Sequence, residues 1–269
     1  MSALRRAGRF VARHLVALYA LLVLVYLFLP VTVIVAFSFN QTRGRYNFTW
    51  EGFTLDHWRQ ACSVPGLCDA MRSSLVIAAL ATLGATVLGT LIAYALTRRR
   101  FRGRTPTNLL IFLPMATPEI VMGSSLLALF LNLGVDRGFT TIVVAHVMFC
   151  ISFVVITVKA RLQGHDASLE EAAMDLYADE WTTFRKVTFP LMLPGIVAGA
   201  LLAFALSFDD FIITNFVSGG EVTFPMFVWG AAQRGVPPQV NVMATLMFLV
   251  AVVALVAGQL VRRQPRTGR

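Results

Sequence analysis

Residues 139–160 read FTTIVVAHVMFCISFVVITVKA, with Lys159 as the one Lys, Arg, Asp or Glu among them. An α-helix rises about 1.5 Å per residue, so a stretch of this length crosses the roughly 30 Å hydrocarbon core of a bilayer. Five more apolar stretches of comparable length flank it, at 15–37, 71–97, 107–131, 190–217 and 239–261. The sequence therefore predicts an all-α integral membrane protein with six transmembrane helices.

The composition supports this fold class. Hydrophobic residues make up 57% of the 269 residues and charged residues 14%, whereas soluble domains average about 45–50% and about 25%. These values exclude a disordered chain, a collagen-like repeat and a disulfide scaffold, and they argue against a soluble two-domain enzyme. The net charge of +9 comes from short basic clusters between the apolar stretches, which is typical of membrane topology rather than of nucleic-acid binding.

Basic residues also predict the orientation in the membrane. The two termini and the connections 98–104 and 159–186 hold seventeen Lys and Arg, and the other connections hold six. Because Lys and Arg accumulate on the cytoplasmic side, we expect both termini in the cytoplasm and the 38–70 loop outside. Cys62 and Cys68 bracket a turn-rich stretch of that loop, where they either form a disulfide in an oxidising compartment or remain two free thiols.

The sequence shows no sign of an enzyme or of a cofactor site. Lys159 and Lys186 are the two lysines, and both lack the neighbouring Gly and Ser or Thr that a phosphate-binding loop requires. No C-x-x-C pair occurs and the histidines are isolated, so no metal site is predicted. We expect a non-catalytic chain that binds no cofactor itself.

The connection at 161–189 reads RLQGHDASLEEAAMDLYADEWTTFRKVTF and predicts two short amphipathic helices. Ser168 and Glu171 match a capping box at the start of the first helix. Four apolar residues then recur at helical spacing on one face: Leu169, Ala172, Ala173 and Leu176. Acidic residues occupy the opposite face, and a second helix is expected to start near Asp179. Such a pair of helices either lies on the membrane surface or docks into a groove of a cytoplasmic partner.

The same connection resembles the EAA loop of ABC-importer permeases. The matching positions are Glu171, Ala172, Ala173, Ala178, Phe184, Pro190 and Pro194. In that family the loop forms coupling helices that sit in a cleft of the ATPase subunit, so the resemblance implies ATPase docking by these residues. Tyr177 stands where the family has Gly, and Phe189 where it has Leu. Because Gly permits a sharp bend, Tyr177 leaves the tightness of the bend between the two helices open.

Further segments are similar to polyamine-importer permeases. They are Ser207-Phe208-Asp209-Asp210-Phe211 with Phe216-Val217-Ser218-Gly219, and RGVPPQVN at 234–241. The whole chain resembles most the second permease subunit of spermidine/putrescine importers. This resemblance implies a single permease domain over 1–269 with the type I ABC-importer permease fold, in the inner membrane of a bacterium.

The resemblance also implies the partners of the chain. They are a second permease subunit, a cytoplasmic ATPase dimer that binds ATP and magnesium, an extracytoplasmic substrate-binding protein and membrane lipid. Two alternatives stay open: import of another small solute (an opine-like amine, an aminophosphonate or ferric iron), and a stand-alone secondary transporter or channel. The second alternative leaves the docking element unexplained. No Arg lies deep within a predicted span, which favours a cationic solute over an anionic one.

Three carboxylates lie inside the predicted spans: Glu119, Asp209 and Asp210. Charges within spans are costly and usually face a cavity or a partner. In one interpretation these carboxylates and the ring of Phe208 line a path for the ammonium groups of a polyamine. In the other they form structural pairs, such as Asp210 with His146, which lies at a similar depth. In a continuous fifth helix Asp209 and Asp210 point about 100° apart.

The third predicted span contains two prolines. Pro114 and Pro118 come shortly before Glu119. Prolines in a membrane helix suggest a kink or a break, and such breaks commonly line a site. We therefore expect the third span to be kinked or broken near Glu119.

Overall fold

The computed structural model describes residues 2–42, 44, 46–99, 101–164, 166 and 168–262. Over these residues the secondary structure is helical, apart from one antiparallel bridge between Asn40 and Phe53. The helices are α1 Ser2–Phe37, α2 Asp56–Arg59, α3 Leu67–Arg98, α4 Arg104–Ala116, α5 Glu119–Asn132, α6 Phe139–Gln163, α7 Ser168–Asp175, α8 Glu180–Thr183, α9 Phe189–Asp209, α10 Ile212–Val217, α11 Phe224–Arg234 and α12 Pro238–Arg262. One turn of π-helix, Phe184–Thr188, joins α8 to α9. The predicted all-α fold class is confirmed.

Among the described residues, five helical segments are long and apolar enough to cross a membrane. They are His14–Phe37 in α1, all of α3, all of α6, Glu180–Asp209 through α8 and α9, and Pro238–Val256 in α12. A sixth is formed by α4 and α5 together, which bend by 107° at a short break. The six predicted spans are therefore present when the bent pair counts as one.

The break between α4 and α5 is placed by Pro118. Thr117 is extended, with φ −84° and ψ 131°, because a residue before proline clashes with the proline ring in the helical conformation. Pro118 has φ −56° and ψ 134°, and Glu119 begins α5. Pro114 lies inside α4. The expected break near Glu119 is present, and Pro118 rather than Pro114 sets its position.

The fifth span differs from its prediction. Its apolar stretch runs to Val217, but α9 ends at Asp209, and Asp210 has the extended values φ −64° and ψ 120°. The Asp210 carboxylate accepts the backbone N–H groups of Ile213 at 3.4 Å and of Thr214 at 2.8 Å. A short polar side chain that bonds to nearby backbone competes with helix continuation, so the helix stops and restarts as α10. The continuous helix expected through both carboxylates is wrong.

The chain divides into two compact units. One contains residues up to Cys68 and from Val228 onward, and the other contains Asp69–Phe227. The prediction of a single permease domain over 1–269 stays a prediction. The second unit holds the docking element and all three carboxylates that the sequence singles out.

In the first unit, aromatic residues order the 38–70 loop. The ring of Phe39 stacks on those of Phe53 and Trp58, at centroid distances of 5.6 and 5.1 Å. Cys62 and Cys68 are joined in a disulfide within this loop. Of the two interpretations left open for these cysteines, the structure has the bonded one.

In the second unit, α6 lies at the centre of the packing. Its Val154 is completely buried. A Cβ atom added to Gly199 of α9 would lie 3.4 Å from the Cα atom of Val154, and one added to Gly89 of α3 would lie 2.8 Å from the Val154 side chain. Small residues allow helices to approach closely in a membrane, so α3 and α9 both pack tightly on α6 at this residue.

Candidate functional site

The first candidate region is the docking segment, defined here as residues 168–190. Its helix α7 begins at Ser168, whose backbone N–H donates to the Asp166 carboxylate at 3.0 Å. This hydrogen bond holds the pKa of Asp166 below its usual range. The structure begins α7 at Ser168, and the capping box expected from Ser168 and Glu171 stays a prediction.

The bend after α7 is formed at Tyr177. With φ 63° it is the one non-glycine residue among those described that has a positive φ. The N–H of Ala178 donates to the carbonyl of Ala173 at 3.1 Å, and the N–H of Tyr177 donates to that of Met174 at 2.9 Å. This pair of bonds is the glycine-type end of a helix. Tyr177 therefore makes the sharp bend that the family glycine would make, at a cost of about 1–2 kcal/mol.

The second short helix has its own cap and its own anchor. The Asp179 carboxylate accepts the backbone N–H of Thr182 at 3.1 Å, and this bond holds the pKa of Asp179 below its usual range. The Phe184 ring contacts the rings of Trp181 and Tyr94, with centroids 5.8 and 5.3 Å away. These contacts attach α8 to the end of α3.

The docking segment turns its apolar residues outward. Leu176 is 82% exposed and Tyr177 is 99% exposed, and Leu169 is exposed as well. Glu170 instead points inward, where its carboxylate contacts the Arg98 guanidinium at 2.9 Å. The expected division into an apolar and an acidic face is not reproduced by exposure, since the acidic Glu171 and Asp175 are exposed together with Leu169 and Leu176, and Ala173 is partly buried.

The residues that the sequence assigns to docking divide by exposure. The exposed ones are Glu171, Ala172, Tyr177 and Pro190, and the partly buried ones are Ala173, Ala178 and Phe184. Sequence reasoning missed Arg98 and Arg99, which it used only for topology. The usable signal was a run of arginines at the end of one helix, facing an acidic loop that follows a later span.

The second candidate region surrounds the break between α9 and α10. Asp210 is buried there, and its Oδ2 lies 3.2 Å from Nε2 of His146. The hydroxyl of Thr214 donates to the same carboxylate oxygen at 2.8 Å. Nδ1 of His146 lies 2.8 Å from Oγ of Ser207. This cluster links α6, α9 and α10, and it is the structural pair that the sequence offered as one of two interpretations.

Asp209 and Glu119 have a different environment. Asp209 is exposed at the end of α9, and Glu119 is exposed as the first residue of α5. Glu119 is close enough to Asp209 and Asp210 to interact with both electrostatically. The Phe208 ring stacks between those of Phe204 and Phe224, with centroids 6.2 and 6.3 Å away. The two helix breaks thus each present one exposed carboxylate in the spanning region.

No metal centre accompanies these carboxylates in the part of the chain that the structure describes. There, no group of three His, Cys, Asp or Glu side chains is arranged to hold an ion. The chemistry that the region offers is that of carboxylate oxygens and aromatic faces, both of which attract organic cations.

A helical membrane chain with a broken third span and an outward-facing docking segment is the architecture of a transport permease. Residues 85–266 match the family described as binding-protein-dependent transport system inner membrane component, and the chain belongs to this family. The family is one of transport permease subunits, not of catalytic chains.

Several curated relatives match nearly the whole chain. The spermidine/putrescine transport system permease protein PotC of Escherichia coli (strain K12) is 38% identical over 244 residues, covering 90% of this chain and 92% of the relative. The protein of the same description from Haemophilus influenzae is 39% identical over 247 residues, covering 91% and 95%. The putrescine transport system permease protein PotI of Escherichia coli (strain K12) is 38% identical, covering 88% and 87%.

Solved structures share the fold. A chain of a bacterial ABC transporter involved in the import of the acidic polysaccharide alginate aligns with a TM-score of 0.66 at 17% identity, over 97% of both chains. A chain of the MetNI methionine ABC transporter in an inward-facing conformation aligns with a TM-score of 0.59 at 18% identity, over 74% of this chain and 96% of that one. The fold is therefore that of ABC-importer permeases.

Proposed function

We propose that this chain is a permease subunit of an ATP-driven importer of polyamines, and that it docks the ATPase through the docking segment. The observation that carries the importer role is the exposed apolar face of α7 and its bend. Leu169, Leu176 and Tyr177 lie on the surface of the chain, while the acidic Glu170 is held inside by Arg98. An amphipathic helix with its apolar face outward suits insertion into a hydrophobic groove.

Within the docking segment, we assign the contact with the ATPase to the exposed residues. Glu171, Ala172 and Tyr177 project away from the chain, so they are placed to enter a cleft of the partner. Phe184 and Ala178 stabilise the second helix from within. ATP-driven closure of an ATPase dimer would displace this segment and switch the permease pair between outward-open and inward-open states.

For the substrate, the proposal rests on the curated relatives and on the two exposed carboxylates. The relatives are spermidine/putrescine and putrescine permeases by name. Asp209 and Glu119 would each receive an ammonium group of the polyamine as it loses water, and Phe208 would offer an aromatic face. Asp210 would act indirectly, since its carboxylate is already bound to His146 and Thr214.

The remaining parts of the proposal concern location and assembly. The chain would span the inner membrane several times with both termini in the cytoplasm, as the distribution of Lys and Arg indicates. It would work with a second permease subunit, a cytoplasmic ATPase dimer that carries ATP and magnesium, an extracytoplasmic binding protein and the surrounding lipid, and without nucleic acid.

The test is ATP-dependent uptake in vesicles that contain the chain and its partners. Labelled putrescine would be competed with spermidine, ferric iron and an aminophosphonate. Uptake that only polyamines inhibit supports the full proposal. ATP-dependent uptake of a different solute would keep the importer and replace the substrate. Uptake that does not depend on ATP would indicate a secondary transporter or a channel and would contradict the docking role.

A further inference from the structure

The end of α3 holds both helices of the docking segment. Nε of Arg98 lies 2.9 Å from the Glu170 carboxylate of α7. The next residue, Arg99, contacts the Glu180 carboxylate of α8 at 2.7 Å. One turn earlier, the Tyr94 ring packs edge-on against Phe184 with centroids 5.3 Å apart. Three residues at the end of α3 and directly after it therefore contact α7, α8 and the π-turn.

The two ion pairs differ in burial. The Arg98 and Glu170 side chains are 13% and 15% exposed, whereas Arg99 and Glu180 are 56% and 75% exposed. Removal of one partner from a buried pair leaves an uncompensated charge, which is strongly unfavourable. An exposed pair is screened by water and contributes little. Arg98 with Glu170 is thus the effective link, and Arg99 with Glu180 is a matched exposed control.

The link is also the one ion pair that attaches α7 within the described residues. Of its eight residues, only Glu170 and Ala173 are partly buried, and the other six are exposed. Glu170 is the one α7 side chain for which the described residues show an ion pair. The Arg98 guanidinium therefore gives α7 a direct polar connection to α3, beside the indirect one through Phe184 and Tyr94.

The opposite end of α3 is attached as well. The helix is unbroken from Leu67 to Arg98 and is about 48 Å long. Near its start, Ser73 donates to the Glu221 carboxylate at 2.5 Å, and Ser74 accepts the backbone N–H of Phe224 at 2.8 Å. Residues 221–224 follow α10, so α3 connects the docking segment to the loop beyond the α9–α10 break.

We propose that the Arg98–Glu170 pair makes α3 and α7 move as one body, so that displacement of the docking segment reaches the far side of the membrane through α3. This inference rests on the proposed function, because it supposes that a partner ATPase displaces α7. Arg98 and Glu170 are positioning residues in it. Neither contacts the transported solute, and both act on how far docking is converted into transport.

The first experiment reverses the charges in vesicles that contain the complete importer. The variants are Arg98→Glu, Glu170→Arg and the double reversal, with Arg99→Glu and Glu180→Arg as controls. Three quantities are measured: the ATPase that copurifies, the stimulation of ATP hydrolysis by loaded binding protein, and the uptake of labelled spermidine. We expect each single reversal to lower uptake by about 5- to 150-fold, the range of a typical coupling between sites, with the ATPase still bound and hydrolysis no longer stimulated.

The double reversal is expected to restore most of the uptake, and the two control variants should stay near the wild-type rate. Wild-type uptake by the single reversals would overturn the inference. So would loss of the bound ATPase in Arg98→Glu, because the pair would then be needed for docking rather than for transmission. Wild-type vesicles without ATP-dependent uptake would contradict the proposed function itself, which keeps the two failures distinct.

A second experiment avoids any dependence on how well the charge variants fold. Arg98→Cys and Glu170→Cys are combined and joined by a short bis-maleimide, with partners free of reactive cysteines. Cys150 is buried and Cys62 and Cys68 are bonded, so the introduced thiols are the reactive ones among the described residues. If α3 and α7 must move as one body, the unlinked double variant, which lacks the ion pair, should transport spermidine slowly, and cross-linking should restore most of the uptake. A loss of uptake on cross-linking would show that the two helices must separate, and would overturn the inference.

Discussion

The two helix breaks in the spanning region arise from different causes and treat their carboxylates differently. The α4–α5 break depends on Pro118, a local covalent constraint, and it leaves Glu119 exposed. The α9–α10 break depends on Asp210, whose carboxylate binds backbone N–H groups, Thr214 and His146. There the carboxylate that makes the break is buried, and its neighbour Asp209 is exposed.

This difference separates two roles that adjacent acidic residues can play. Asp210 has a structural role, because its carboxylate oxygens contact Ile213, Thr214 and His146 of the same chain. Asp209 and Glu119 are exposed, which suits the proposed role of receiving a cation. Each break therefore has one exposed carboxylate beside it, Glu119 or Asp209. Only the second break also buries a carboxylate, that of Asp210.

The largest effect is expected from Asp210→Ala. This change removes the acceptor that stops α9 and leaves buried donors that now bond to Asp210 without a partner, at about 1–3 kcal/mol for each unsatisfied group. The amount of folded protein in the membrane and its thermal midpoint should both fall sharply. His146→Ala should lower them in the same direction. A variant Asp210→Ala with the wild-type midpoint would remove the distinction between the two breaks.

Asp209→Asn and Glu119→Gln should lower uptake without affecting stability. Hydrogen bonds to a charged group contribute about 1.5–3 kcal/mol, so each change should reduce polyamine uptake by about tenfold or more. The thermal midpoint should match the wild type, since both side chains are exposed in the chain. Spermidine uptake and thermal unfolding are measured on the same preparation. Unchanged uptake in both variants would exclude these carboxylates from the path.

Tyr177→Gly tests a third bend, in which a residue adopts a conformation that its side chain disfavours. Removing the Cβ atom relieves about 1–2 kcal/mol of backbone cost, offset by the extra freedom of Gly in the unfolded chain. We expect slower amide hydrogen exchange at Tyr177 and Ala178 and unchanged uptake. Faster exchange at these amides would mean that the tyrosine ring stabilises the bend in some other way.

The smallest effect on stability is expected from Pro118→Ala. The proline lowers the entropy of the unfolded chain, and its loss costs about 0.4–1 kcal/mol. Since no buried charge is left unpaired, the thermal midpoint should fall far less than in Asp210→Ala. Pro114→Ala, inside α4, is the matched control. A fall as large as that of Asp210→Ala would show that both breaks depend on buried interactions.

The sequence predicts one break and misses the other for a physical reason. Proline restricts the residue next to it, so Thr117 and Pro118 are sufficient to mark the first break. The second depends on the contact of Asp210 with His146, which lies far away in sequence, and on the Thr214 hydroxyl, which donates to Asp210. The apolar spacing of 190–217 contains no sign of that partner.

The docking segment shows the same division. Its two short helices and its acidic residues could be predicted from 161–189 alone, whereas the tightness of the bend at Tyr177 stayed open until the structure gave its positive φ. The direction in which each face points could not, because it depends on Arg98, which precedes Glu170 by 72 positions. Contacts between distant residues decided orientation, whereas local chemistry decided where helices begin and end.

Val154 lies between glycines of two different helices, Gly89 of α3 and Gly199 of α9. These contacts limit how each helix can rotate about its axis as well as how closely it approaches α6. Successive residues of a helix lie about 100° apart, so turning α3 about its own axis by one position would press Leu88 or Thr90 against the valine instead of Gly89. The same holds for α9 and the neighbours of Gly199. A Cβ atom added at Gly89 would lie 2.8 Å from the Val154 side chain and would push α3 away, whereas one added at Gly199 would meet Val154 at the ordinary contact distance of 3.4 Å. The rotational setting of α3 is therefore the more tightly fixed of the two.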